Sequence, residues 1–137
     1  MISFITSIES RILIATGKRV QLSPQYILSC NFFNEGCLGG WPLLNGFFGE
    51  AVSIPLESCA PYRAQTLSTP CSDYRHCEKA VKVTRSFYIG GFYGASSEEA
   101  MMKELFARGP IVGDIRCPLG FSIYKEGIFS EEHERAF

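Results

Sequence analysis

The chain of 137 residues carries 13 basic and 14 acidic side chains, a net charge of −1, and 46% hydrophobic residues. That length and composition suit one globular domain's worth of chain, or a piece of a larger one. The even charge gives no footprint for nucleic acid or an anionic membrane as partner, and no apolar run approaches the roughly 20 residues of a membrane span.

The opening M-I-S-F-I-T-S-I-E-S-R has no basic stretch ahead of its apolar residues, and Glu9 and Arg11 interrupt them. No secretory signal is expected there. Ile2, Ile5, Ile8, Ile12 and Ala15 recur at three- and four-residue spacing, which predicts an amphipathic helix over 2–16 with Gly17 as its stop. Ser23-Pro24 opens a second helix over 24–30. The serine oxygen can cap an orphan N–H, and proline at the first helical position loses nothing by lacking one.

The stretch S-C-N-F-F-N-E-G-C-L-G-G-W-P, residues 29–42, then sets Cys30 and Cys37 around a glycine turn and leads through Gly39-Gly40 into Trp41-Pro42. A glycine pair bares the backbone, so a ligand or strand can lie against its N–H and C=O groups. Bare backbone pinned beside an aromatic ring and a proline suits an extended peptide, bound strand against strand. The plain alternative is a tight turn that needs positive φ.

A third helix is predicted over 41–52, with Leu44, Phe47, Phe48 and Ala51 on its apolar side. Gly46 and Gly49 either weaken it or permit close packing. Residues 55–77 read as loop, with three prolines and Cys59, Cys71 and Cys77. Such a segment needs cross-links to hold its place. Five of the six cysteines fall between 30 and 77, none in a C-x-x-C pair, and the two histidines, His76 and His133, are far apart. Disulfides in an oxidising compartment are therefore expected in preference to a metal centre. An oxidising compartment and no export signal together imply a chain cut from a precursor, or an incomplete sequence.

Val81–Tyr93 reads as a strand ended by Gly90-Gly91. Ser96 and Glu99 fit a capping box opening a helix whose apolar stripe is Met101, Met102, Leu105 and Phe106, closed by Gly109-Pro110. Ile111–Ile115 and Tyr124–Phe129 read as further strands.

Four strings, L-S-P-Q-Y-I-L-S-C, G-C-L-G-G-W-P, C-A-P-Y and Y-I-G-G-F-Y-G, together resemble the papain family of cysteine peptidases, and within it the cathepsin C (dipeptidyl peptidase) subgroup. The resemblance runs over roughly residues 5–129. It implies an α+β papain-like fold, mostly the helical left half plus the first strands of the β-rich right half. Residues 1–137 would then be a partial peptidase domain without propeptide or exclusion domain. It implies the disulfides Cys30–Cys71 and Cys59–Cys77. Cys37 would pair with a cysteine upstream of Met1, and Cys117 has no counterpart. These two are left unpaired, joined to each other, or joined to another chain.

By the same resemblance, Gly39 and Gly40 pair with substrate backbone and Trp41 and Pro42 form the wall leading to the main specificity pocket. Asp114 falls on a pocket-wall position that is usually small or apolar, where it would meet a substrate amino group or turn to solvent. Tyr88 matches one of two tyrosines that hold a chloride in the subgroup, but the other position is Leu43. No other cofactor and no metal is implied.

Papain-type hydrolysis needs a thiolate, an imidazole that shuttles its proton, an amide that orients the imidazole, and an oxyanion donor. The resemblance puts the nucleophilic cysteine before Met1, and the histidine about 130–150 residues beyond that cysteine, past Phe137. His133, in the charged run E-E-H-E-R, does not match the setting of the family's histidine. The chain alone is expected to be inactive. One reading makes it a segment of a lysosomal or secreted dipeptidyl peptidase, completed by missing segments or another chain. The other makes it a non-catalytic relative, kept as a structural or binding subunit.

Overall fold

Ser23 begins the helix around which the core closes. The computed structural model describes residues 1–66, 70–115 and 117–129. Ser23 Oγ accepts the Tyr26 N–H at 2.9 Å and donates to the Ala60 carbonyl at 2.5 Å, so one buried hydroxyl both caps the helix and ties it to the following loop. Pro24 occupies the first turn of this helix, Pro24–Cys30, here called α2. Ahead of it lies α1, Ile2–Thr16, stopped by Gly17. After it come a short 3-10 turn at Gly36–Leu38 and the helix α3, Pro42–Ala51, which starts one residue later than expected because Trp41 is extended.

The three helices meet on an apolar cluster of Phe4 and Ile5 from α1, Leu22, Tyr26 and Ile27 at and within α2, and Phe48 from α3. Ile54, Ala60, Tyr74 and Cys77 of the following segment complete it. Each fully buried side chain of this size contributes about 1.5–3 kcal/mol relative to exposure. Phe4 belongs to this face although the isoleucine spacing of α1 did not include it. In α3 the buried residues are Asn45, Gly46, Phe48 and Gly49, while Phe47 turns outward.

Gly46 and Gly49 serve close packing. A Cβ on Gly46 would stand 2.2 Å from Ser86 Oγ, and one on Gly49 would stand 2.5 Å from a Val83 methyl. This explains why the strand expected over 81–93 stops early. The ladder is the short antiparallel pair β1, Ile54–Pro55, with β2, Lys79–Val81. Beyond Val81 the chain turns its hydrogen bonds to α3 instead: Val83 N–H to the Gly49 carbonyl at 3.1 Å, and Ser86 N–H to Glu50 Oε1 at 2.5 Å.

The fourth helix, α4, spans Glu98–Arg108. Its cap is Ser97, whose hydroxyl accepts the Ala100 N–H at 3.2 Å, so the expected capping box of Ser96 with Glu99 is not made. Its apolar stripe is not buried either. Met102 and Leu105 are about half exposed and Phe106 is 97% exposed, whereas Glu104 is the buried residue. The helix docks on α1 by polar contacts. Glu104 binds Arg11 at 3.3 Å and Arg108 one turn on, and the Pro110 carbonyl accepts from Ser7 Oγ and Arg11 Nε at 2.8 and 2.9 Å. Neither Ile111–Ile115 nor Tyr124–Phe129 forms a strand. A strand needs a neighbour for its N–H and C=O groups, and among the described residues none runs beside these segments.

Candidate functional site

After α2 the chain must turn back sharply to reach α3, and three asparagines shape that turn. Asn45, buried on α3, accepts with one oxygen from Asn31 Nδ2 and from Asn34 Nδ2, both at 2.9 Å. Asn31 Oδ1 in turn accepts the Phe33 N–H at 2.9 Å. Asn34 faces Trp41 as a neighbouring strand would: its oxygen accepts the Trp41 N–H at 2.8 Å, and its amide donates to the Trp41 carbonyl at 3.3 Å. The Glu35 N–H closes the ring on the Gly39 carbonyl at 3.1 Å.

The clamp accounts for Gly40. Its φ is +148°, and a Cβ there would stand 2.2 Å from Asn34 Oδ1. A Cβ on Gly39 would meet nothing within 4 Å. Both glycines are exposed. Among the described residues, the N–H and C=O of Gly40 have no hydrogen-bond partner. Beside this open backbone, Trp41 is 54% exposed and sets its ring edge-on to Tyr93 at 5.8 Å, which meets Tyr88 edge-on at 5.7 Å. Pro42 starts α3 and fixes where the ring leaves the backbone. The result is a single residue of unpaired backbone, Gly40, flanked by paired neighbours and set beside aromatic rings.

The other expected residues are placed as follows. Cys30 is bonded to Cys71 and Cys59 to Cys77, the pairs that the resemblance implies. Cys37 and Cys117 are both free and exposed, so they are not joined to each other. Asp114 faces solvent. Burial lowers the pKa of the Met1 amino group, and the Asp114 carboxylate pulls it back up, which puts Asp114 near that amine. Tyr88 is half-buried against Tyr93, and Leu43 supplies no hydroxyl. The pair formed by Tyr88 and Leu43 therefore does not make a two-tyrosine chloride site. His133 lies outside the described residues.

His76 is the histidine among the described residues. Its Nε2 lies 3.5 Å from Cys59 Sγ and 3.9 Å from Cys77 Sγ, against a disulfide and not beside a free thiol. Sequence reasoning missed the asparagine clamp. Asparagine signals turns in general, and nothing in the spacing of 31, 34 and 45 says which amide meets which.

The sequence profile described as papain family cysteine protease matches residues 1–136. "Cathepsin C" of Schistosoma mansoni is 35% identical over 126 residues, covering 90% of this chain and 27% of that protein. "Dipeptidyl aminopeptidase 1" of Plasmodium falciparum is 25% identical over 167 residues, covering 82% of this chain and 24% of that protein. The chain thus spans about a quarter of the length of these relatives. A solved structure, the cysteine protease CMS1MS2 of Carica candamarcensis in complex with E-64, superposes with a TM-score of 0.61 at 23% identity. It covers 78% of this chain and 47% of that one, and the likeness is one of fold. With the profile matched nearly end to end and the helical half of the fold in place, the chain belongs to the papain family of cysteine proteases.

Proposed function

We propose that this chain forms the peptide-gripping wall of a cathepsin C-like cysteine peptidase that hydrolyses peptide bonds in a lysosomal or secretory compartment. On this reading, residues 1–137 are a partial peptidase domain, and the thiol and imidazole of the reaction are supplied by other segments or another chain. The observation that carries it is the open backbone of Gly40 beside the exposed Trp41. An extended substrate would exchange an N–H and a C=O with Gly40 and lay a side chain along Trp41 and Pro42, as strand addition does elsewhere. Gly39 leaves room for that approach. Asp114, exposed, would meet a substrate amino group by charge.

A second reading, a non-catalytic relative acting as a binding subunit, is favoured by the surroundings of the cysteines. Among the described residues the two free thiols, Cys37 and Cys117, contact backbone carbonyls and no imidazole. A thiol without a base near it is a poor nucleophile at neutral pH. Both readings expect the isolated chain to bind and not to cut.

Calorimetric titration of the purified chain with an extended peptide separates these points. Binding is expected, with loss of affinity for a copy N-methylated where its N–H would meet the Gly40 carbonyl. Equal affinity for both peptides overturns the gripping role. Turnover of a dipeptide amide, or catalytic-rate labelling by an epoxide inhibitor, overturns the claim that this chain lacks the reacting groups.

A further inference from the structure

Gly17 ends α1 in the left-handed conformation, and the chain after it returns along the helix far enough for the Leu22 N–H to reach Glu9 Oε1 at 2.7 Å. The space left between α1, residues 19–21 and the turn after β1 is a cavity of about 690 Å³, open to solvent and of a size that holds small ligands. Its walls are cross-tied. Leu22 bridges Leu56, the Gln21 carbonyl accepts the Glu57 N–H at 2.9 Å, and the Pro55 carbonyl accepts the Ser23 N–H at 3.0 Å. A ligand entering here meets a cavity already formed, and little ordering is needed to bind it.

Two opposite charges, Glu9 and Arg19, line this cavity without forming an ion pair. Among the described residues the Arg19 guanidinium has no hydrogen-bond partner and no carboxylate in contact, so its paired donors are free. Glu9 spends one oxygen on the Leu22 N–H, which fixes the carboxylate and leaves the second oxygen as an acceptor. Leu13, Val20 and Leu56 supply apolar wall between these ends, and Gln21 adds a side-chain amide.

We propose that this cavity binds a dipeptide with both ends free and apolar side chains, its ammonium on Glu9, its carboxylate on Arg19, and its side chains along Leu13, Val20 and Leu56. A ligand of one sign would leave one of the two protein charges unmet, whereas a zwitterion meets both. Two residues span about 7 Å, which sets ammonium and carboxylate farther apart than the single carbon between those of a free amino acid. Protein charges that do not touch call for that separation. Neither Gly40 nor Trp41 lines the cavity, so the site goes beyond the peptide grip proposed above and stands apart from it.

The test titrates the full chain, isotope-labelled, with leucyl-leucine and follows backbone amide shifts by nuclear magnetic resonance. The expected result is saturable shifts among residues 9–13, 19–21 and 56–58. N-acetyl-leucyl-leucine lacks the ammonium and leucyl-leucine amide lacks the carboxylate. Each should bind about tenfold more weakly, the loss of one charge-assisted contact, and free leucine should bind more weakly as well. Arg19→Gln, at an exposed position with no partner to lose, should weaken leucyl-leucine about tenfold and leave the affinity of leucyl-leucine amide unchanged. Glu9→Gln keeps an oxygen for the Leu22 N–H and should weaken leucyl-leucine while sparing the N-acetyl peptide. No shift at these residues, equal affinity for the amide or for free leucine, or an Arg19→Gln loss that is the same for both peptides each overturns the proposal. Shifts confined to residues 39–42 overturn it too, and would speak for the Gly40 grip instead.

Discussion

Asn45 is the side chain whose loss reaches farthest, because its one oxygen satisfies two amides. Asn45→Ala leaves the donors of Asn31 and Asn34 without their acceptor in a largely buried place. An unsatisfied buried donor costs about 1–3 kcal/mol. The variant should therefore lose about 2–3 kcal/mol in urea unfolding with an unchanged slope; a loss under about 0.5 kcal/mol would show that water replaces the amide freely. Gly40 gives a sharper test, because its absent Cβ has two separate causes. One is the positive φ, which a side chain tolerates at about 1–3 kcal/mol. The other is the contact with Asn34 Oδ1. In an Asn34→Ala background only the first persists, so Gly40→Ala should cost less there than in the parent, by about 1 kcal/mol in a double-mutant cycle. Strict additivity would refute the clamp as the reason for the glycine. The glycine pair itself was legible in the sequence, but of the bare backbone expected at both only Gly40 keeps it, since Gly39 bonds to Glu35 and Gly36. The reason for Gly40 was not, since it depends on an amide six positions upstream being turned by another from α3.

At the scale of elements, what was readable was whatever neighbouring residues settle among themselves. Helices α1 and α2 follow their expected bounds because apolar spacing, Ser23-Pro24 and Gly17 act within a turn or two of chain. The strands over 111–115 and 124–129 depend on partners far along the chain, and alternation alone does not create a ladder. The loop 55–77 sits between these cases, held by covalent bonds that spacing could not assign. Closing 41 and 18 residues of separation should contribute about 4 and 3 kcal/mol in the chain-entropy picture. Cys30→Ala with Cys71→Ala is thus expected to destabilise the chain more than Cys59→Ala with Cys77→Ala, read from thermal unfolding of the two double variants. The reverse order would mean that contacts of the 59–77 segment, and not loop closure, dominate. Where α4 meets α1 the bond is ionic. Arg11 is 33% and Arg108 60% exposed around the buried Glu104 carboxylate, so solvent screens both partners. Glu104→Gln should cost only about 1 kcal/mol, and a loss above about 3 kcal/mol would mean that the carboxylate acts as a fully buried ion.

Across the whole molecule, burial is uneven, and that predicts where the chain opens first. Among the described residues the buried apolar side chains run from Phe4 to Cys77, and none lies beyond it. In the later part Phe106 and Ile128 are each 97% exposed, Ile123 79% and Ile115 75%, while α4 attaches through one buried carboxylate and the Pro110 carbonyl. Local stability follows buried apolar contact, since the free energy of opening is set by what each segment loses on leaving. Amides in α2 and α3 should therefore exchange with solvent only on global unfolding. Those of α4 should exchange through a cheaper local opening, at least tenfold faster, for a difference of about 1.4 kcal/mol or more. Hydrogen exchange read by mass spectrometry at peptide resolution decides it. The same exposed side chains should bind an apolar dye in the native chain without any denaturant. Protection in α4 equal to that in α2, with no dye binding, would mean that the polar seam at Arg11 and Glu104 holds as firmly as the apolar core. The Gly40 backbone, proposed above to grip a peptide, lies on the protected side of this divide, because Asn45, Phe48 and the α2 cap root it in the core. Under the proposed role, a wall that presents its backbone at fixed register to a strand needs that rooting, and α4 can open locally without disturbing it.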